Sequence, residues 1–318
     1  MPVTQEGSLG QTVGAAPDAQ MPRFLRVIWT VFVVGALLTL PVLPLVAWGV
    51  VIPIAAVLVA ATTPAVRGLL WSRRPADVLD LAVVAGLYVT VVALFRLAFV
   101  VFTVDNVPGL FLAFAGGLLL GVGGPVVYST FFRRRSLRSL GLGTHALRPT
   151  LTLAAVFGGI QFVIMFWGYA LPTPVDWVPL LVLSLTVGLF EAIFFRGFVQ
   201  GRLEDSFGTS AGVVGAAILY SLYHVGYGMA GGELVFLFGL GIVYAIAYRL
   251  VDNILVLWPL LTPIGAFFNN LEGGDIVLPW ASIAGFADVL MVMALIIGLA
   301  ARHERNATAR PDIPSRGG

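Results

Sequence analysis

The sequence predicts an all-α protein, a polytopic transmembrane helix bundle with about 8–10 spanning helices. Of its 318 residues, 59% are hydrophobic and only 11% are charged, whereas an average soluble domain has about 25% charged residues. The apolar residues also run in blocks long enough to cross a bilayer as helices. The chain contains no cysteine, which excludes disulfides, a thiol nucleophile and a thiolate metal site. These observations exclude a soluble globule, a disordered chain and a secreted disulfide scaffold.

Six apolar runs are each long enough to form one spanning helix. They lie at 78–103, 108–132, 150–171, 178–203, 233–250 and 280–300. Residues 24–61 form a longer apolar stretch that Pro41 and Pro44 interrupt, which predicts two helices joined by a tight turn or one long bent helix. Residues 209–224 and 254–270 are shorter and contain Gly, Pro or Asn. These two segments can cross only where protein, not lipid, covers their backbone.

This map divides the chain into five segments. They are a disordered cytoplasmic tail at 1–22, N-terminal transmembrane helices at 23–132, a basic cytoplasmic loop at 133–149, a transmembrane core at 150–301 and a second disordered tail at 302–318. The basic loop has two interpretations: a short amphipathic helix lying on the lipid headgroups, or a site that binds those headgroups.

The arginines predict the orientation of the bundle, because cytoplasmic loops are enriched in basic residues. All 18 basic residues are arginines. If the N-terminus is cytoplasmic, the arginine-bearing loops and helix ends all fall on the cytoplasmic side. The opposite loops then contain acidic residues and no arginine: Asp105, Asp176, Glu233, Glu272 and Asp275. The sequence therefore predicts a multi-pass protein of the cell membrane with both termini cytoplasmic.

Few ionisable residues remain at membrane depth, and each is a functional candidate because burying charge in lipid is costly. Glu191 and Arg196 lie within one apolar run, and His224 ends the next apolar segment. On an α-helix, five residues correspond to about 140° of rotation, so Glu191 and Arg196 are expected to face different neighbours. In a hairpin of adjacent helices, Glu191 and His224 can approach each other. They then form either a structural pair or a site that polarises water.

Three further residues have two interpretations each. Arg96 either snorkels to the membrane surface or pairs with Asp80 or Asp288. Asn269 and Asn270 close a third apolar segment, where they either cap a helix or donate a hydrogen bond to a developing oxyanion.

The segment FEAIFFRGFVQGRLEDSFG at 190–208 resembles the first signature of the CAAX prenyl-protease and bacteriocin-processing (CPBP, or Abi) family of intramembrane proteases. Glu191 matches the first glutamate of the Glu-Glu-x-x-x-Arg signature, and Arg196 matches its arginine. YSLYH at 220–224 resembles the second signature, in which an aromatic residue precedes a histidine. Asn269 matches the asparagine of the third signature, His-x-x-x-Asn. The resemblance covers about 180–270.

Two positions depart from the family pattern. Ala192 stands where the second glutamate is expected, and Gly265 stands where the third signature has its histidine. The resemblance implies that Glu191 and His224 keep the half of the site that activates water, while the oxyanion half is reduced to Asn269.

The resemblance implies a role for each matching residue. Glu191 is expected to be the general base, His224 its partner on the water, Asn269 the oxyanion donor and Arg196 the organiser of the site. Tyr220, Phe195 and Asn270 are expected to bind the substrate.

No metal or other cofactor is expected. Zinc is disfavoured because a catalytic zinc generally has three protein ligands, and with the second histidine absent only Glu191 and His224 are well placed.

The resulting hypothesis is an intramembrane endopeptidase that hydrolyses a membrane-associated or prenylated peptide. The lost motif residues leave open an alternative, a catalytically silent membrane scaffold or immunity protein that binds a peptide or protein partner. A proton-conducting transporter is a third possibility, disfavoured because no internal repeat is evident. The expected partners are membrane lipids and a membrane-associated peptide or protein, with no nucleic acid.

Overall fold

The computed structural model describes residues 77–104, 106–169, 171, 173–272 and 279–308. Within these residues the protein is entirely helical, which confirms the predicted fold class. The α-helices are α1 (Val78–Arg96), α2 (Val107–Phe111), α3 (Leu119–Val127), α4 (Leu147–Phe166), α5 (Pro174–Glu191), α6 (Gly201–Phe207), α7 (Thr209–Tyr223), α8 (Gly232–Val251), α9 (Leu261–Glu272) and α10 (Ser282–Thr308).

Wider or tighter helical turns extend and connect these helices. The π-helical turns, in which each bond closes a wider ring, are Leu97–Val101, Leu112–Leu118, Tyr128–Phe132 and Ala192–Gln200. The 3-10 turns are Leu137–Leu140, His224–Tyr227 and Ile254–Val256. The π-helix Ala192–Gln200 joins α5 to α6, so the three form one continuous rod.

All six predicted spans are present. By length and hydropathy, the candidate membrane spans are Val78–Val101, Val107–Phe132, Leu147–Phe166, Trp177–Phe207, Gly232–Val251 and Ser282–Ala307. The two shorter segments form α7 and α9, with 15 and 12 residues. The stretch 24–61 and the tail 1–22 lie outside the described residues. The C-terminal tail was predicted to be disordered from 302, but α10 continues to Thr308.

The rod of α5, the π-helix and α6 lies at the centre of the bundle. Its most apolar stretch is 72% buried inside the protein, whereas those of the spans that begin at Val78 and Ser282 are each 22% buried. Helix α5 packs against α9 and α10, and α7 packs against α8 and α6. Because protein surrounds this rod, it can carry polar side chains that a lipid-facing helix could not.

The basic loop folds back onto the core, and whether it also contacts lipid headgroups stays a prediction. Leu137 and Leu140 are buried, and the backbone N–H of Leu137 donates to Oε2 of Glu304 at 3.1 Å. The loop approaches the central rod so closely that a Cβ atom on Gly197 would collide with the carbonyl oxygen of Leu140. Glycine at 197 therefore allows the basic loop to contact the rod.

A buried ionic cluster holds the loop to the start of α1. Asp80, only 1% exposed, lies 2.7 Å from Nη2 of Arg135, 3.3 Å from Nε of Arg133 and 3.9 Å from Nη1 of Arg202. The hydroxyl of Tyr128 donates to the same carboxylate at 2.7 Å. The cluster thus joins α1, the basic loop and α6.

Arg96 has neither of the predicted carboxylate partners. Asp80 and Asp288 both lie in the described part of the chain, and neither forms an ion pair with it. Its side chain is exposed at the end of α1, where Nη1 donates to the carbonyl oxygen of Val225 at 3.2 Å. Arg96 therefore ties α1 to the turn that follows α7.

Asp80→Asn should destabilise the protein strongly, because it leaves Arg135 and Arg202 without a buried countercharge. Removing one partner of a buried ion pair typically costs about 3–5 kcal/mol. Thermal unfolding in detergent measures the loss. Asp288→Asn is the matched control, since Asp288 is exposed and such surface changes usually stay within about 0.5 kcal/mol. Equal stability of the two variants would contradict the structural role of the cluster.

Candidate active site

A cavity of about 1040 Å³ lies between the central rod and the helices around it. Most of its walls are apolar. Its polar and ionisable lining residues are Glu191, Tyr220, Tyr223, His224, Tyr227, Glu233, Asn269 and Asn270. The sequence hypothesis placed Glu191 and His224 near each other, and in the structure both line this one cavity.

Glu191 is held by two tyrosine hydroxyls. It is the last residue of α5 and is 4% exposed. Tyr223 donates a short hydrogen bond to Oε1 of Glu191, and Tyr220 donates to Oε2 at 3.4 Å. Hydrogen bonds to a carboxylate compensate for the water it loses on burial. The carboxylate is therefore both stabilised and oriented by helix α7.

Arg196 lies on the same side of the rod as Glu191, which corrects the expectation that the two face different neighbours. That expectation assumed α-helical rotation. The chain here is π-helical, with i to i+5 bonding, so residues five apart lie above one another. The guanidinium carbon of Arg196 stands 5.1 Å from the centre of the Tyr220 ring, and Glu191 accepts a hydrogen bond from the same tyrosine.

The guanidinium of Arg196 is otherwise isolated. The residue is 1% exposed, and its Nη1 and Nη2 atoms have no hydrogen-bond partner among the described residues. It does not line the cavity. Its contact with the site runs through the face of Tyr220, a favourable position for a cation.

His224 presents one ring nitrogen to the backbone. Nδ1 lies 2.9 Å from the carbonyl oxygen of Tyr220. Because a carbonyl oxygen only accepts, Nδ1 carries the hydrogen, and in the neutral ring Nε2 is left as the acceptor. The rings of His224 and Tyr223 pack with their centres 4.0 Å apart. The tautomer suits a group that accepts a hydrogen bond from water.

Helix α9 brings the third group of predicted residues to the cavity. Gly265, Asn269 and Asn270 all line it. The helix continues to Glu272, so the two asparagines lie within its last turns and not beyond its end as a cap. Nδ2 of Asn270 donates to the carbonyl oxygen of Ala266 at 2.7 Å, while Asn269 is exposed.

The space behind Gly265 is filled by a hydrogen-bonded network. A Cβ atom on Gly265 would lie 2.7 Å from Oη of Tyr244 and 3.4 Å from Nε2 of Gln161. Gln161 donates to Tyr244 at 2.8 Å, and both side chains donate to the carbonyl oxygen of Leu261, at 3.1 and 2.9 Å. The site thus has a tyrosine and a glutamine behind the position where the family signature has its histidine.

Phe195 does not line the cavity, contrary to its expected contact with the substrate. It is fully buried, and its ring packs against those of Tyr220 and Tyr223 at centre distances of 5.3 and 4.6 Å. It therefore supports the two tyrosines that hold Glu191. Tyr223 is the residue that sequence reasoning missed. Its signal was a hydroxyl-bearing residue directly before His224 in an apolar helix.

The donor groups do not fit a catalytic zinc. Among the described residues, no three His, Cys, Asp or Glu side chains form a group that could hold a metal ion. Both oxygens of Glu191 already accept tyrosine hydroxyls, and Nδ1 of His224 faces a carbonyl oxygen. The expectation that no cofactor takes part stays a prediction.

Comparison with known families supports the resemblance. Residues 172–260 match the family model described as Type II CAAX prenyl endopeptidase Rce1-like. The matched segment contains Glu191, Arg196 and His224 and ends before Gly265 and Asn269. No curated protein and no solved structure matches the chain. The family resemblance is thereby confirmed over this segment.

Gly265→Ala should destabilise the protein because the new methyl group meets the hydroxyl of Tyr244. Overpacking of this kind typically costs about 1–3 kcal/mol. In a Tyr244→Phe background the clash disappears, and the substitution should be neutral or stabilising, because alanine exceeds glycine in helix propensity by about 1 kcal/mol. Melting temperatures in detergent report the effect.

The matched control is Gly159→Ala in α4, where an added Cβ would have no neighbour within 4 Å. It should be neutral or stabilising in both backgrounds. If Gly265→Ala lowers the melting temperature equally with and without the Tyr244 hydroxyl, the hydroxyl is not what restricts position 265.

Proposed function

We propose that the protein is an intramembrane endopeptidase that hydrolyses a peptide bond in a membrane-associated peptide, using water activated by Glu191 and His224. The observation that carries the proposal is that both side chains line one cavity, with the carboxylate held by Tyr220 and Tyr223. The match of residues 172–260 to the Rce1-like endopeptidase family supports the same class of reaction.

In the proposed reaction, Glu191 accepts a proton from a water molecule in the cavity. The water oxygen then attacks the carbonyl carbon of the substrate peptide bond and forms a tetrahedral intermediate. The intermediate collapses as the C–N bond breaks, and Glu191 returns the proton to the leaving amine. Nε2 of His224 accepts a hydrogen bond from the same water, because Nδ1 already donates to the Tyr220 carbonyl oxygen.

Asn269 is the proposed donor to the oxyanion. Its side chain lines the cavity, and it lies on α9, across from the rod that carries Glu191. An amide N–H directed at the developing negative charge lowers the barrier to attack. No step of the reaction runs through a metal ion.

Arg196 is proposed as a positioning residue. A cation over the ring of Tyr220 withdraws electron density from it and strengthens the hydrogen bond that its hydroxyl donates to Glu191. Arg196 acts through Tyr220, since it does not line the cavity. Phe195 supports the same ring from behind.

The cavity walls are suited to a substrate with an apolar portion. Apolar side chains from α1, α5, α8 and α9 line most of the cavity, and Tyr220 and Asn270 add polar groups near the proposed reaction centre. A peptide drawn from the membrane or its surface satisfies this combination, since its apolar side chains contact the walls while its backbone carbonyl reaches Glu191 and His224. The proposed location is the cell membrane.

Glu191→Gln should abolish most of the proteolytic activity, because an amide cannot accept the proton of water. Loss of a general base typically lowers the rate by about 10²–10⁴-fold. The measurement is cleavage of a mixed library of membrane peptides by purified protein in detergent, read by mass spectrometry.

Glu204→Gln is the matched control for this experiment. Glu204 is also a shielded glutamate of the central rod, but it accepts a hydrogen bond from Gln200, forms an ion pair with the part-exposed Arg249 at 3.4 Å and does not line the cavity. Its variant should cleave the same peptides as the unmodified protein. Thermal unfolding of both variants separates a loss of activity from a loss of stability. Equal cleavage by both variants would refute the mechanism, and cleavage by none of the three proteins would refute the enzymatic function.

Asn269→Ala should lower kcat by about 10²–10³-fold, the usual loss when one oxyanion donor is removed. Asn270→Ala should affect KM more than kcat, because Asn270 is proposed to contact the substrate and not the oxyanion. Steady-state kinetics on one peptide identified from the library separates the two effects. A change confined to KM in Asn269→Ala would exclude it as the oxyanion donor.

A further inference from the structure

We infer that the cavity opens on the membrane face opposite the arginine-rich loops, so that a substrate segment enters it from the non-cytoplasmic side. That the entering segment is a substrate rests on the proposed function. The position of the opening does not, because it follows from which ends of the helices line the cavity and which ends carry arginine.

Helix α1 and its π-helical extension show the division most directly. The start of α1 lies in the cluster of Asp80 with Arg133 and Arg135. Phe95 and Phe99, near the other end, line the cavity. The arginine cluster and the cavity therefore lie in opposite halves of this membrane span.

The central rod divides in the same way. Leu183, Val187 and Glu191 line the cavity, and Arg202 lies beyond them towards the cytoplasmic end of the rod, in the Asp80 cluster. Glu191 is 14 residues after Trp177, where the span begins, which corresponds to a depth of about 21 Å at 1.5 Å per residue. The cavity thus runs from mid-membrane towards the end of the rod that is free of arginine.

The remaining spans and α9 show the same division between a half that lines the cavity and a half that carries the arginines. The lining residues of α8 and α10 lie in their first halves, and the arginines of both helices lie near their last residues. In α4, which runs in the opposite sense, the lining residue lies at the end of the helix, and in α9 the lining residues begin at Gly265 and continue to Asn270 near the last turn. The lining residues are Met165 in α4, Glu233 and Phe236 in α8, Asn269 in α9 and Phe286 in α10. The arginines at the other ends are Arg249 in α8 and Arg302 and Arg305 in α10.

Exposed residues mark the mouth of the cavity on this side. Gly232, Glu233, Asn269 and Pro279 line the cavity, are exposed and lie at or near helix ends. Among the described arginines, Arg96 alone lies in this half of the membrane. Because arginines concentrate in cytoplasmic loops, the mouth belongs to the non-cytoplasmic face.

This geometry defines the class of substrate. Glu191 lies about 21 Å along the rod from the start of the span at Trp177, so a peptide that enters from the level of Trp177 needs about six extended residues at roughly 3.3–3.6 Å per residue to reach it. The substrate is therefore an unfolded terminal or juxtamembrane segment on the non-cytoplasmic side. A lipid-modified C-terminus anchored on the cytoplasmic face would be on the wrong side of the membrane.

The natural absence of cysteine makes the test direct, because any introduced thiol is the only one in the chain. Two conservative variants of the full-length protein mark the two faces: Ala230→Cys in the exposed turn at the mouth and Ser136→Cys in the exposed part of the basic loop. Each is expressed in bacterial cells and treated with a membrane-impermeant maleimide, before and after permeabilisation. Labelling after denaturation gives the total of reactive thiol.

The expected result is full labelling of Ala230→Cys in intact cells. Ser136→Cys should be labelled only after the cells are permeabilised. The reverse pattern, or equal labelling of both variants in intact cells, overturns the inference.

A second pair of variants tests whether water reaches the cavity from that face. Ala266 lines the cavity one residue after Gly265, whereas Ile218 is exposed on α7 but does not line the cavity. A small charged thiosulfonate added to intact cells should modify Ala266→Cys and leave Ile218→Cys unmodified, since a thiol facing lipid does not ionise. Absence of modification at Ala266→Cys overturns the opening on this face.

The outcome is independent of catalysis, because labelling requires no activity. If the library experiment shows no proteolysis but the labelling pattern holds, the proposed function fails and the position of the opening stands. If proteolysis in detergent is observed and the labelling pattern is reversed, the enzyme stands and the side of substrate entry is wrong.

Discussion

A carboxylate at the middle of a bilayer must receive hydrogen bonds from protein, and the site is arranged around this need of Glu191. Its donors, Tyr220 and Tyr223, both lie on α7. Helix α7 must therefore pack directly on the central rod, and because Tyr223 precedes His224 in the chain, the same contact brings the imidazole to the cavity. A single requirement, the solvation of one buried charge, thus positions the two groups proposed to activate water.

The charge of Arg196 adds a second requirement. A buried guanidinium without a carboxylate partner is costly, and Arg196 has no ion pair among the described residues. The π-helix changes the energetics because it aligns Arg196 with Glu191 on one side of the rod. The opposite charges then share Tyr220, one at its hydroxyl and one at its ring face. Attraction through this ring offsets part of the burial cost, and Glu191 still lines the cavity.

The sequence predicted the parts of this architecture that depend on hydropathy alone. Apolar length identifies each span, and scarcity of charge within the spans identifies Glu191, Arg196 and His224. Local geometry was not predictable in the same way. The alignment of Arg196 depends on a π-helix that leaves no periodic signal, and the burial of Phe195 depends on which face of the rod meets α7. The fold of the basic loop depends on Asp80, whose partners are distant in the chain and could not be paired from spacing.

Gly265 stands where the resemblance implies a histidine, and in the structure the space beside it is occupied by other side chains of the protein. Removing a large side chain from a packed site leaves a cavity, and that cavity costs stability unless the surroundings fill it. Here Tyr244 reaches Gly265, Gln161 donates to Tyr244, and both donate to the carbonyl oxygen of Leu261. Every one of these bonds runs within the protein, so the network needs no ligand to complete it. The packing around Gly265 is therefore complete with glycine at this position, and an oxyanion in the cavity would depend on the amide of Asn269 from this helix.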